Sequence, residues 1–176
     1  MRRLSGEERA RWLLVPLAAV LAGLLLVFFV FFNYSTVEGD SMRPTLLPGD
    51  RLLVTKGYDH PRRGDIIVFT MMERGHEIEV VKRVVGVPGD IVETRGDLAW
   101  VNGKPEPKGF DIIVGRSGAP TGPTRVAAGS IFVLGDNRPV SLDSRYTGPV
   151  GLNSVLGQAV AVFSPVTRVR MLDLRR

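Results

Sequence analysis

The 176-residue chain has no cysteine, two histidines (His60 and His76), 23 Lys+Arg against 18 Asp+Glu, and a formal net charge of +5. The missing cysteines exclude a disulfide framework, a thiolate zinc site and a cysteine nucleophile. Two isolated histidines fall short of the three or four ligands a metal centre usually needs, so no metal and no cofactor is expected. The positive charge is dispersed, with no basic run longer than three, which argues against nucleic acid as a partner. Only four of the basic residues are lysines (Lys56, Lys82, Lys104 and Lys108), so an enzyme built on this chain has few candidate bases.

Residues 1–12 carry Arg2, Arg3, Arg9 and Arg11, and residues 13–32 then hold 18 apolar residues, Pro16, Gly23 and no charge. A 20-residue helix is ~30 Å long, the thickness of a bilayer's hydrocarbon core. The alternative is a removable signal peptide, but those have apolar regions of about 7–15 residues followed by small residues at a cleavage site. Here the run ends in FFVFFN with no A-x-A after it, which favours a retained transmembrane anchor. Pro16 lies early in the span, where a missing N–H is tolerated. Arginines precede the span, and Glu38 and Asp40 are the first charges after it. The positive-inside rule therefore expects a single-pass protein of the cell membrane, N-terminus cytoplasmic and the domain of residues 33–176 outside.

That domain reads as mostly β. Short β-branched runs at 51–56, 65–71, 77–85, 90–94, 130–135, 158–163 and 167–174 alternate with Gly and Pro, and each fits a strand. Asn102-Gly103 is a strong two-residue hairpin signal. Residues 104–129 look like a loop-rich insertion, and no segment after residue 33 carries a convincing helical pattern. Antiparallel sheets are expected.

Candidate chemistry gathers in three segments. If 77–85 is a strand, Ile78, Val80, Lys82 and Val84 share one face, and Glu77, Glu79, Val81, Arg83 and Val85 the other. Arg83 then has acidic company and reads as solvated. Lys82 sits among valines, where burial would lower its pKa and make it a general base. The alternative is a lysine whose stem covers apolar surface while its ammonium reaches water. Ser41, between Asp40 and Met42, is either a turn serine or a nucleophile. His60 and His76 both look turn-like and solvated, which leaves a Ser–Lys pair as the accepted alternative to a triad. The third segment, 134–148, is dense in Asp, Asn, Arg and Ser and by itself reads as a polar loop.

Together these segments resemble the bacterial type I signal peptidases. The pattern S-M-x-P-T appears as Ser41-Met42-Arg43-Pro44-Thr45, followed by Pro48-Gly49-Asp50. The lysine box K-R-[VI]-[VI]-G-x-P-G-D runs from Lys82 to Asp90, and G-D-N-R-x-x-S-x-D-S-R runs from Gly135 to Arg145. Gly64-Asp65 and Gly157-Gln158-Ala159-Val160 match further family elements. The resemblance implies coiled antiparallel sheets with a small inserted subdomain at about 97–129, and an endopeptidase that removes signal peptides from preproteins. It implies Ser41 as nucleophile, Lys82 as general base, Ser141 orienting the lysine amine, and Asp143 with Arg145 as a supporting ion pair. Asp136 and Asn137 would shape the same wall. The Ser41 N–H would serve the oxyanion, whereas Gly39, two residues earlier, lacks the hydroxyl that some members carry there. Gly39 and Asp40 flank this oxyanion region, and Val37, Met42, Val80 and Val81 are expected to wall pockets for small residues one and three positions before the cut. Leu46-Leu47 and Phe69 to Met72 either pack in the core or rest on the lipid bilayer. Two other readings are a membrane-tethered binding module without catalysis and a self-cleaving repressor. The second would carry a DNA-binding module and no leading anchor, and neither expectation is met.

Overall fold

The computed structural model describes residues 6–107, 109–115 and 120–172. It opens on helix α1 (Gly6–Phe31), of which Leu14–Phe31 has a mean hydropathy of 2.9 and lies wholly outside the folded domain, long and apolar enough to cross a membrane. The helix ends one residue before the apolar run does. Phe32 already belongs to strand β1 (Phe32–Thr36), paired with Thr55, and its ring stacks on Phe28 at 5.1 Å. The last carbonyls of a helix have no partner within it. Here Lys56 supplies them, its backbone N–H donating to Phe31 O and its Nζ to Phe29 O, both at 2.9 Å. A cation at the helix C-terminus also complements the helix dipole.

The strands that follow are β2 (Arg51–Thr55), β3 (Ile66–Glu73), β4 (His76–Gly86), β5 (Ile91–Arg95), β6 (Leu98–Val101), β7 (Lys104–Pro105), β8 (Thr121–Arg125), β9 (Ser130–Leu134), β10 (Val150–Gly151), β11 (Val155–Ser164) and β12 (Arg170–Met171). The main sheet has the order β1-β2-β11-β3-β4-β9-β10, with β12 added to β11, and the second has the order β7-β6-β5-β8. Every pairing between these strands is antiparallel. The main sheet coils until strands far apart in that order face each other. Ser35 Oγ on β1 donates to Glu79 Oε2 on β4 at 3.2 Å although three strands lie between them.

Coiling explains the core. The inside of the coil holds Val37, Met42, Leu46, Leu52, Val54, Ile66, Val68 and Val81. Ile67, Phe69, Val84, Ile131 and Val133 fill the opposite face, so β3 is buried on both sides and reads IIVF without alternation. A third cluster, including Val85, Val92, Val126 and Phe132, joins the two sheets. Leu46 and Phe69 are therefore core residues and no membrane face, and of the apolar segments singled out only Met72 is strongly exposed.

Several elements depart from the sequence expectation. Residues 167–174 do not form one strand: a 3-10 turn (Val166–Arg168) precedes the two-residue β12, and 173–174 lie outside the described residues. The second sheet begins at Ile91, before the expected insertion, because β5 pairs with β6 and β8 and with no strand of the main sheet. Part of the presumed loop, Thr121–Arg125, is strand β8. A four-residue helix α2 (Ser144–Thr147) interrupts the polar segment, capped by Asp143, whose side chain accepts from Arg145 N. The Asn102-Gly103 hairpin has φ of 52° and 77°, the positive pair a tight β-turn requires.

Gly157 sits where β11 crosses from β2 to β3. A Cβ there would lie 2.0 Å from the Thr55 carbonyl oxygen, a backbone atom that has no room to retreat. Gly157→Ala is expected to destabilise the fold by at least ~2 kcal/mol, the range of core overpacking, measured by denaturant unfolding of the detergent-solubilised protein.

Candidate active site

Ser41 lies on the turn that follows β1, and three groups of contacts hold that turn. Val37 N–H donates to Asp50 O, and Gly49 N–H to Val37 O, at 2.9 and 2.8 Å. Asp50 accepts from Leu47 N–H and from both arms of the Arg168 guanidinium, at 2.7–2.9 Å. From the other side, Asn137 N–H donates to Ser41 O at 2.9 Å and Asn137 Nδ2 to Asp40 O at 3.1 Å. None of these bonds uses the Ser41 N–H.

β4 brings Lys82 to this turn. Its side chain is 2 % exposed, and Nζ donates to Ser41 Oγ at 2.8 Å and to Val81 O at 3.1 Å. Burial strips water from the ammonium and pushes its pKa down to about 8, against the smaller opposing pull of the Asp143 and Asp136 carboxylates. A neutral amine beside a serine hydroxyl is the arrangement that proton abstraction requires.

Arg83, the next residue, corrects the sequence reading. It is 4 % exposed and grips Asp136 with two hydrogen bonds at 2.8 and 2.7 Å. Nη1 also donates to Gly64 O at 2.8 Å, and the guanidinium stacks 4.1 Å from the Phe110 ring. Glu77 and Glu79 lie toward the open hairpin end of β4, whereas Arg83 lies where β9 and residue 110 cover the strand. Asp136 Oδ2, which accepts from Arg83 Nη2, also accepts from Thr45 Oγ1, so one ion pair ties β4, the segment after β9 and the serine turn together.

Ser141 does not orient the lysine as expected. It is buried, but its Oγ has no hydrogen-bond partner among the described residues, and the second contact of the Lys82 amine is the Val81 carbonyl. The hydroxyl faces Gly135 instead. A Cβ at Gly135 would fall 2.3 Å from Ser141 Oγ and 2.5 Å from Ser41 O, so only glycine lets these segments meet.

Asp143 and Arg145 form a two-bond pair, both contacts at 2.9 Å, and Asp143 also accepts from Gly135 N–H at 3.1 Å. The sequence reading stopped there, but the network continues into the second sheet. Arg145 reaches Asp97 Oδ1 at 3.2 Å and Arg138 O at 2.6 Å. Arg138 donates to Gly135 O at 2.9 Å and to Asp97 O and both Glu106 oxygens, each at 2.6 Å. Arg138 stood in the matched motif without a role. Asp97 and Glu106 gave no signal, since their arginine partners lie 32 to 48 residues away.

A cleft of about 390 Å³ opens beside Ser41 between β1 and β4, and Val37, Gly39, Met42, Val80 and Val81 line it. Asp40 stands outside this lining, with its carboxylate on Arg43. A Cβ at Gly39 would meet nothing within 4 Å, so the absence of a side chain there is no packing requirement.

Residues 9–164 match the family described as signal peptidase, peptidase S26. A signal peptidase I of Bacillus caldolyticus is 43% identical over 173 residues, covering 90% of this chain and 92% of the relative. That of Bacillus licheniformis is 36% identical and covers 92% of each, and that of Leptolyngbya laminosa is 37% identical, over 88% of this chain and 79% of the relative. A crystal structure of a signal peptidase I from Enterococcus faecalis aligns with a TM-score of 0.46 at 33% identity, over 58% of this chain and 98% of that one. The chain, through nearly all of its length, belongs to the peptidase S26 family of signal peptidases.

Proposed function

We propose that this protein is a membrane-bound serine endopeptidase that removes signal peptides from preproteins, with Ser41 as nucleophile and Lys82 as general base. The observation that carries the reading is the 2.8 Å contact between a buried amine and a serine hydroxyl. A binding module has no use for a lysine held in a dry site at a pKa near 8, because that burial lowers stability.

In the forward step the neutral Lys82 amine takes the Ser41 proton as Oγ attacks the scissile carbonyl. The oxyanion that forms is met by the Ser41 N–H, which has no hydrogen-bond partner among the described residues, and a well-aimed donor of this kind contributes about 3 kcal/mol. The ammonium then returns its proton to the leaving amine, leaving an acyl-enzyme on Ser41. Water deprotonated by Lys82 hydrolyses it. Asp143 and Asp136 lie near enough to raise the lysine pKa but make no hydrogen bond to it. The base therefore stays weakly basic without being locked into its charged form.

The substrate enters as a strand. β1 is a terminal strand of the main sheet, and β9 pairs with β4 only from Arg83 to Gly86, so Ile78–Lys82 has a free edge on that side. Peptide added at such an edge places alternate side chains in pockets. Those beside Ser41 suit small residues one and three positions before the cut. The helix Leu14–Phe31 sits in the cell membrane with the arginine-rich N-terminus cytoplasmic and the catalytic domain outside.

Three outcomes test this. Ser41→Ala and Lys82→Ala should each lower kcat for a signal-bearing preprotein by at least ~1000-fold, with circular dichroism unchanged. Near-normal turnover by either variant rules the dyad out. The parent's kcat/KM should rise about tenfold per pH unit up to about pH 8 and then level, and a flat profile between pH 5 and 9 removes Lys82 as base. Stability should follow the same group. The folded-state pKa lies below the ordinary 10.5, so the protonated lysine weakens the fold fully below about pH 8, and the penalty fades between 8 and 10.5. Lys82→Met should therefore unfold later than the parent, by about 2–3 kcal/mol at pH 7, with the advantage shrinking as pH rises towards 10.5. A difference independent of pH refutes the assignment of that pKa to Lys82.

A further inference from the structure

The cleft has two levels, one apolar and one polar. Along β1 and its continuation, Ser35 and Val37 point inward while Tyr34 and Thr36 are exposed. Along β4, Glu79 and Val81 stand at the same two-residue spacing. Val37 and Val81 belong to one apolar cluster with Met42, next to Ser41. The second level lies two residues farther from the lysine, where Ser35 Oγ donates to Glu79 Oε2 across the floor at 3.2 Å.

Two residues of extended chain span ~6.6 Å, which is also the spacing of alternate substrate side chains on an added strand. With the residue before the cut at the Val37/Val81 level, the third residue before the cut meets Ser35 and Glu79. No lysine or arginine lines the cleft, and neither Glu79 nor the neighbouring Glu38 has a basic partner among the described residues. Asp40 is turned to Arg43, and the Lys82 amine is directed at Ser41. The far level of the cleft is thus an acceptor-rich site with an uncompensated negative charge.

We propose that Glu79, held by Ser35, is a specificity-determining residue that makes the pocket for the third residue before the cut accept uncharged, hydrogen-bonding side chains and reject carboxylates. This rests on the peptidase reading, since it takes Ser41 as the point of cleavage. A substrate serine gives Glu79 a donor. A substrate aspartate brings a second negative charge within a few ångströms of it, and like charges that close repel even at an exposed site.

The test uses the full-length protein in detergent and signal-bearing peptides that differ only at that position, carrying Ser, Ala, Asn or Asp. Asn and Asp have the same shape, so their kcat/KM ratio reads charge alone. The parent should cut the Asn peptide at least ~10-fold faster than the Asp peptide, and Ser should be cut faster than Ala. In Glu79→Gln the Asn/Asp ratio should fall to within ~threefold while the Ser peptide is still processed. A ratio that Glu79→Gln leaves unchanged, or no Asn/Asp discrimination in the parent, overturns the proposal with the peptidase reading intact. Failure of the parent to cut any of these peptides or a preprotein overturns both.

Discussion

The constraint on which the structure turns is an amine kept out of water beside a hydroxyl. Burying a lysine with no carboxylate against it weakens the fold, and every other part of the site either supplies that dryness or offsets its destabilising effect. Val81 precedes Lys82 on β4 and Val84 lies two residues beyond it, both buried, and the turn bearing Ser41 covers the lysine's tip. The fold offers the ammonium only a hydroxyl and a carbonyl. A carboxylate at either place would hold the proton on and abolish the base.

Five carboxylates around the site are nevertheless matched to arginines. Asp136 is taken by Arg83, Asp143 and Asp97 by Arg145, Glu106 by Arg138, and Asp50 by Arg168. Buried pairs of this kind are poor sources of stability compared with apolar packing, but two-armed guanidinium contacts fix orientation. Their placement is informative. Apart from the local Asp143–Arg145 pair, each joins chain segments that are remote in sequence, and those of Asp136, Asp97 and Glu106 clamp the Gly135–Arg145 segment between the serine turn on one side and the second sheet on the other. The second sheet thus braces the wall behind the dyad through Asp97 and Glu106 while contributing no residue to the cleft lining.

How much of this was legible in the sequence depended on the range of the interaction. Lys82 could be singled out because strand alternation set it among valines, and the hairpin at Asn102-Gly103 because its turn chemistry is local. Arg83 was misread for the same reason that Lys82 was read well. Alternation along one strand assigned it to the face of Glu77 and Glu79, but coiling of the sheet buries both faces beyond Val81. Asp97 and Glu106 carried no local pattern, since their roles exist only once the two sheets meet. Ser141 matched a motif whose implied contact the folded chain does not make. The short strands β1, β8 and β10 lack enough apolar residues to stand out and owe their conformation to their neighbours.

The junction between α1 and β1 has a mechanical consequence. Lys56 binds the carbonyls of the last helical turn, and Phe32 passes straight into a paired strand, so no slack chain separates the apolar helix from the domain. The nine residue steps from Phe32 to Ser41 set an upper limit of ~30 Å on the height of the proposed nucleophile above the helix end. A tethered domain on a flexible linker explores a hemisphere of positions and orientations. With α1 inserted in a bilayer, as proposed, this one rides at a fixed elevation, and encounters with chains held in the same bilayer become a search in two dimensions with the cleft already at working height.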